Sequence, residues 1–222
     1  MPRTAGSDTA TVREVGPRDG LQMAKAIMST PTKLEWIAAM ANAGVCEMEV
    51  ASFVPPALMP QMADAAEVTR AARAAHPDLL VVTLAPNFRG AQNAAAAGAQ
   101  AIILPVSASE AHSRSNVRRS REDQVAEVAR VVEWARSLGP NAPRIEGGIA
   151  TAFGCSFQGE VPEKDVLELA VALTETGVDI VMLADTLGYA SPSQVRRIVR
   201  AVRAEIGAER VLTLPRPAGA LK

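Results

Sequence analysis

The polar residues that directly follow short apolar runs are the ones whose types and spacing could do chemistry in this sequence. In Gly16-Pro17-Arg18-Asp19-Gly20-Leu21-Gln22, a loop rich in Gly and Pro sets a guanidinium beside a carboxylate. Asp19 could bind a hard divalent cation through oxygen, and Arg18 could stabilise an enolate oxygen as it forms. The same two residues could equally lie on the surface and cap a turn. In Glu47-Met48-Glu49-Val50-Ala51-Ser52-Phe53, strand alternation puts Glu47 and Glu49 on one face. A carboxylate among Met48, Val50 and Phe53 needs a partner if buried, so Glu49 could orient Arg18 or a metal-bound water, or shape the interior as a salt bridge. Ala184-Asp185-Thr186-Leu187-Gly188 offers a carboxylate and a hydroxyl, either as ligand contacts or as an Asx-type turn.

Sulfur and imidazole add less. Cys155, in Phe153-Gly154-Cys155-Ser156, has no histidine near it in sequence and reads as a packed thiol, as does Cys46. The two lie far apart and give neither a disulfide framework nor a zinc knuckle. His112, after Ser107-Ala108-Ser109-Glu110, reads as a solvated loop histidine that could touch a ligand. His76, before Pro77, reads as a cap at a helix end.

These residues need elements to position them. Apolar, β-rich runs at 11–15, 46–52, 79–84, 101–106, 144–150 and 179–183 alternate with segments of helical period at 33–43, 62–75, 89–97, 122–138, 163–176 and 193–206. Gly44, Gly98, Gly139, Gly177 and Gly207 stand where a left-handed C′ residue would end each helix. Such a rhythm is the pattern of parallel strands joined by crossover helices, so the class is α/β. No Gly-rich dinucleotide fingerprint follows the first run, which argues against a doubly wound sheet. The expectation is an incomplete (β/α)₈ TIM barrel: residues 1–11 a loose terminus, 12–214 one partial barrel domain of about six βα units plus a stub of strand seven, and 215–222 an irregular tail. In such a barrel the reacting groups come from the carboxyl ends of the strands, where the residues above fall.

Composition narrows the classes. With 23 basic and 24 acidic residues there is no broad field for nucleic acid, and the basic cluster from Arg114 to Arg121 lacks interleaved aromatics. No apolar run reaches the ~18 residues of a membrane span, and the first residues carry no apolar stretch of a signal peptide. The expectation is a cytoplasmic protein with no nucleic-acid or membrane partner.

Taken together, Val15-Gly16-Pro17-Arg18-Asp19-Gly20-Leu21-Gln22, Glu49-Val50-Ala51-Ser52-Phe53-Val54 with Met59-Pro60-Gln61-Met62, Thr83-Leu84-Ala85-Pro86-Asn87, Phe153-Gly154-Cys155 and Ala184-Asp185-Thr186-Leu187-Gly188 resemble the 3-hydroxy-3-methylglutaryl-CoA lyases. The resemblance implies a metal-dependent barrel that cleaves a β-hydroxy acyl-CoA into acetoacetate and acetyl-CoA by a retro-aldol step, and a homodimer. By the same resemblance Asp19 is a ligand to Mg²⁺ or Mn²⁺, and Arg18 stabilises the enolate of the departing thioester. Glu49 and Asp185 match further polar positions of the site, and Gln22, Arg144 and Thr186 line it against the substrate.

The family also has His-x-His-Asp after strand seven, then an Asn ligand and a catalytic Cys in a Gly-rich loop. Thr213-Leu214-Pro215-Arg216-Pro217-Ala218-Gly219 stand where the first of these is expected. Codons for these residues, read one base later, can spell His-Cys-His-Asp-x-Arg-Gly, so a frameshift is expected after about Val211, with activity impaired in this form. The rival expectations are a catalytically dead remnant of the family and another aldolase or synthase of the same metal-barrel superfamily.

Overall fold

The computed structural model describes residues 11–214. The expected loose terminus lies outside the described residues except for Thr11, and the expected irregular tail, 215–222, lies wholly outside them. Seven strands occur in the described chain: β1 (Arg13–Glu14), β2 (Glu47–Ser52), β3 (Leu80–Leu84), β4 (Ala101–Ser107), β5 (Arg144–Ala150), β6 (Ile180–Ala184) and β7 (Val211–Leu214). Between them run α1 (Leu21–Met23), α2 (Thr30–Asn42), α3 (Ala65–Ala75), α4 (Phe88–Ala96), α5 (Glu110–Val117), α6 (Arg121–Ser137), α7 (Glu163–Thr176) and α8 (Pro192–Ile206). All neighbouring strands pair in parallel, in the order β1 to β7. This is an incomplete TIM barrel, open between β1 and β7 among the described residues.

Sequence chemistry explains the helix starts. Ser29, Asn87, Ser109, Ser120 and Ser191 each turn a side-chain oxygen onto a backbone N–H of the first turn, satisfying a donor the helix leaves open. At α6 the cap is reciprocal, Asp123 returning a bond to the Ser120 N–H. The outer faces of the strands meet the helices in a layer that includes Ile102, Leu104, Val128, Val131, Ile145, Leu173, Leu183 and Ile198, all buried. Each such side chain stabilises by about 1.5–3 kcal/mol. A second apolar layer, with Ile37, Met48, Val50, Val68 and Val81, holds α2 and α3 against β2 and β3.

The opposite strand phase fills the barrel interior: Val82, Ala101, Ile103 and Met182, with Leu80 and Leu212 packed on them. Consecutive glycines on β5 serve both faces, since a Cβ at Gly147 would meet Leu173 of α7 at 3.1 Å and one at Gly148 would meet Ile103 at 3.1 Å. On β2 the register shifts between Glu49 and Ala51, which ends the inward run at Glu49 and leaves Val50 and Ala51 both packed against the helices.

Two local features differ from the periodicity reading. The Gly16–Gly20 loop winds as a π-type turn that leads straight into α1. Helix α5 is not foreshadowed by an apolar stripe, because Ser113 is its one buried residue and its Ser109 cap fixes its start.

Candidate active site at the carboxyl end of the barrel

The turn after β1 delivers the first group. The N–H groups of Arg18 and Asp19 both reach the Val15 carbonyl, at 3.1 and 2.7 Å, and Glu14 accepts from the Gly16 N–H at 2.5 Å. Gly16 is required there, since a Cβ would fall 2.7 Å from the Glu14 carboxylate and 2.8 Å from the Trp36 ring. The turn buries the Arg18 side chain, whose Nε donates to Glu49 Oε2 at 2.7 Å and whose Nη2 donates to the same oxygen. Arg18 Nη1 donates to Asp19 Oδ1 at 3.1 Å.

Glu49 is fully buried, and its other oxygen, Oε1, has no hydrogen-bond partner among the described residues. The buried Gln22 Oε1 is likewise unpartnered. An unmet acceptor in a dry site costs about 1–3 kcal/mol, so two of them near one turn mark a place built to receive a donor. The structure thus brings Arg18, Asp19 and Glu49 together, with Gln22 on the turn that follows.

Across the mouth, the ends of β4, β5 and β6 are tied by hydroxyls. Asp185 accepts from the Tyr189 and Ala190 N–H groups at 3.0 and 3.2 Å, so its carboxylate closes the loop after β6 by bonds four and five residues on, a wider closure than the Asx-type turn expected. Thr186 accepts from the Thr151 N–H at 2.8 Å. Thr151 itself sits at φ +58°, rare for a β-branched residue, and its hydroxyl takes the Ser109 N–H at 3.2 Å while donating to the Ala150 carbonyl at 2.6 Å. Here too lies a pair the sequence reading did not single out: Ser107 Oγ is 2.5 Å from His112 Nδ1. Half-buried in this way, His112 is not the solvated loop residue expected, and burial pulls its imidazole below the ordinary range. The signal for Ser107 was its place, the last residue of β4 on the inward phase set by Ala101 and Ile103.

Cys155 is buried as expected, whereas Cys46 is exposed. Burial raises the Cys155 thiol, but hydrogen bonds from Ser109 and the Gln158 and Phe157 amides outweigh it, and the net shift is downward. His76 occupies the C-cap of α3.

Arg144 does not join the mouth. It is the first residue of β5, at the amino end of a parallel barrel, and its Nη2 lies 2.5 Å from Glu146 Oε1. The centre of that cluster is Arg13, which spans the interior to meet Glu146 with two bonds of 2.6 and 2.9 Å and holds Glu47 at 3.1 and 3.2 Å. Burial alone would pull the Arg13 guanidinium down, yet the bond to Glu146 and the charges of Glu146, Glu47 and Glu49 overcome it and raise it. Glu47 and Glu49 share a face as the alternation requires, but they serve opposite ends.

Among the described residues no three His, Cys, Asp or Glu side chains converge where an ion could sit. Glu49 already gives one oxygen to Arg18, and a hard divalent cation needs several convergent oxygens. The described residues therefore offer Asp19 as a ligand but do not by themselves make a divalent-cation site.

A family model described as HMGL-like matches residues 10–214. The chain belongs to the HMGL-like family. Among its relatives, the mouse protein named 3-hydroxy-3-methylglutaryl-CoA lyase, cytoplasmic, is 37% identical over 193 residues, which cover 87% of this chain and 55% of that protein. Hydroxymethylglutaryl-CoA lyase YngG of Bacillus subtilis is 32% identical over 201 residues, 90% of this chain and 66% of its own length. The chain thus spans between about half and two thirds of the length of these HMGL-like relatives.

Among solved structures, an HMG-CoA lyase from Acenitobacter baumannii in complex with coenzyme A and 3-methylmalate superposes with a TM-score of 0.86 at 34% identity, covering 95% of this chain and 68% of that one. The carboxyl transferase domain of Rhizobium etli pyruvate carboxylase, 15% identical with a TM-score of 0.62, shares the fold alone. No helix among the described residues is long and apolar enough to cross a membrane.

Proposed function

We propose that this HMGL-like chain carries the site of a carbon–carbon lyase acting on a short β-hydroxy acyl-CoA, of which 3-hydroxy-3-methylglutaryl-CoA is the first to try. The observation that carries the reading is the clamp of Arg18 by Glu49 at the carboxyl ends of β1 and β2, with Asp19 beside it. A guanidinium has five N–H donors in a rigid fork, and Glu49 and Asp19 use three of them. The donors left over can meet an oxygen that gains negative charge, as the thioester oxygen does when the bond between the α and β carbons breaks and an enolate forms. Glu49 does not touch the substrate in this scheme; it holds the fork at a fixed angle.

The unpartnered Gln22 oxygen and the Thr186 hydroxyl are our candidates for substrate contacts. Asp185 shapes the loop beside them, and Arg144 belongs to the floor of the barrel. Asp19 is the residue we assign to a divalent cation, Mg²⁺ or Mn²⁺. One carboxylate is not a site, so no step here is routed through the ion. The mouse relative's name supports placing the protein in the cytoplasm, and we assign it no membrane or nucleic-acid partner; a homodimer is proposed on the family resemblance.

The test is release of acetoacetate and acetyl-CoA by the purified chain supplied with Mg²⁺ or Mn²⁺. Arg18→Lys keeps the charge and loses the fork, and its kcat should fall by about 10²–10³-fold, the effect of losing one oxyanion donor. Equal turnover by Arg18→Lys would sink the assignment of Arg18.

A further inference from the structure

The chemistry assigned to the barrel mouth leaves one basic stretch without a role, Arg114 to Arg121. In the fold its members part. Arg114 donates to Glu110 at 2.7 Å, and Arg121 is held by the Ala108 carbonyl at 3.1 Å and by Asp165 at 3.4 Å. Arg118, at φ +57°, ends α5, and Arg119 lines a cavity of about 380 Å³ whose other polar walls are Arg89, Arg130, Glu127, Asn87 and Gln92. We propose that this cavity, on the outer wall between α4 and α6, binds a phosphate dianion, free or carried as a phosphate ester. None of the residues assigned to the lyase site lines it, so the inference does not rest on that reading.

Charge is the first argument. Three guanidiniums share one carboxylate, which leaves an excess of two positive charges on the walls. Glu127 Oε2 lies 3.4 Å from Arg130 Nη1 and 3.8 Å from Arg119 Nη1, while its Oε1 is spent on the Phe88 N–H at 2.9 Å. Arg89 has no ion-pair partner among the described residues. Asp123, whose charge Arg119 also feels, is turned back onto Ser120 as the cap of α6 and does not line the cavity. A phosphate dianion cancels the excess; a single carboxylate does not.

Preorganisation is the second. Arg130 lies over the Phe88 ring, 4.0 Å from its centroid, and Trp134 meets that ring edge-on at 5.6 Å. Stacking holds the guanidinium before a ligand arrives, so less freedom is lost on binding. The planar fork of an arginine offers parallel N–H donors to two oxygens of one phosphate. The first turn of α4 opens on the same cavity, with Asn87 capping the Gly90 N–H at 2.9 Å, and its positive end adds to the field.

The experiment is isothermal titration of the purified chain with inorganic phosphate at low salt, where screening is weak, with every variant checked for folding by circular dichroism. The wild type should bind phosphate saturably. Arg89→Gln, Arg119→Gln and Arg130→Gln should each weaken that binding by about 10-fold or more, the loss of a hydrogen bond between charged groups. Glu127→Gln keeps an acceptor for the Phe88 N–H and removes the one carboxylate, so binding should tighten by about threefold. Arg196→Gln drops the same charge from the exposed face of α8 and should leave binding unchanged. Equal weakening by Arg196→Gln and the three cavity variants overturns the site, as does a wild type without saturable binding, and either result leaves the lyase reading as it stands. Coenzyme A as competitor identifies the source. Displacement of phosphate traces the ligand to the nucleotide end of an acyl-CoA, and phosphate that stays bound traces it to a free phosphate ester; both outcomes bear the site out.

Discussion

The two ends of this barrel hold the same kinds of residue in opposite states. At the amino end, Arg13 takes both oxygens of Glu146 and one of Glu47, and Arg144 closes the cluster. Both Glu146 oxygens are engaged, and the atoms left without a hydrogen bond at this end among the described residues are donors, Arg144 Nε and Nη2, with no acceptor left open. At the carboxyl end, Arg18 crowds two donors onto one oxygen of Glu49, leaving the other oxygen and that of Gln22 unpartnered among the described residues. A satisfied buried network stabilises; one with open valences is poised to receive something. The presence of buried Arg–Glu pairs does not by itself locate function; acceptors left open at the carboxyl ends of the strands are the better guide.

The largest test of this contrast is at the floor. Glu146→Ala removes the two shortest bonds of Arg13, leaving its guanidinium to Glu47, and should lower unfolding stability by about 3 kcal/mol, read from the urea midpoint, with kcat per folded molecule unchanged. The paired replacement Arg13→Met with Glu146→Leu should recover most of that loss, because a well-packed apolar pair stands in for a buried ion pair. A Glu146→Ala protein of full stability and low kcat would reverse the contrast.

A smaller effect is expected at the mouth. Glu49→Gln keeps the shape and removes the charge that orients Arg18, so kcat should fall by about 10²-fold while stability drops by only about 1–3 kcal/mol. Unchanged turnover there would mean that Arg18 needs no clamp. Smallest is the layer between the ends. A Cβ at Gly148 would lie 3.1 Å from Ile103 and 3.3 Å from the flexible tip of Met182, so Gly148→Ala should cost about 1 kcal/mol in thermal or urea unfolding. A fall in kcat would show that the middle layer couples the two ends.

Much of the scaffold was readable because its residues repeat. In α7, Val166, Leu169, Ala170 and Leu173 recur at three and four and are all buried, and the expected bounds of β5 match the observed Arg144–Ala150. The two-residue β1 was overextended to 11–15, since apolar neighbours there do not all find a ladder partner. Helix α5 escaped because its start depends on one serine cap rather than a stripe.

At the site, the contiguous Arg18 and Asp19 stood out, and alternation placed Glu47 and Glu49 on one face. Arg144 entered the site through the family resemblance alone, whereas its place as the first residue of the 144–150 run already sets it at the amino end, beside Glu146. Ser107 was hidden for a different reason. A serine at a strand end has no signature until the helix that starts three residues on brings back a histidine five residues away in sequence.

Thr151 has one more consequence. Its left-handed backbone holds about 1–3 kcal/mol of strain, and its amide and hydroxyl join Thr186, Ser109 and the Ala150 carbonyl. Released from those bonds, the residue would spring to an ordinary φ, and all the links would part together. The ends of β4, β5 and β6 therefore behave as a latch, and their amides trade hydrogen with solvent as one cooperative unit instead of fraying strand by strand.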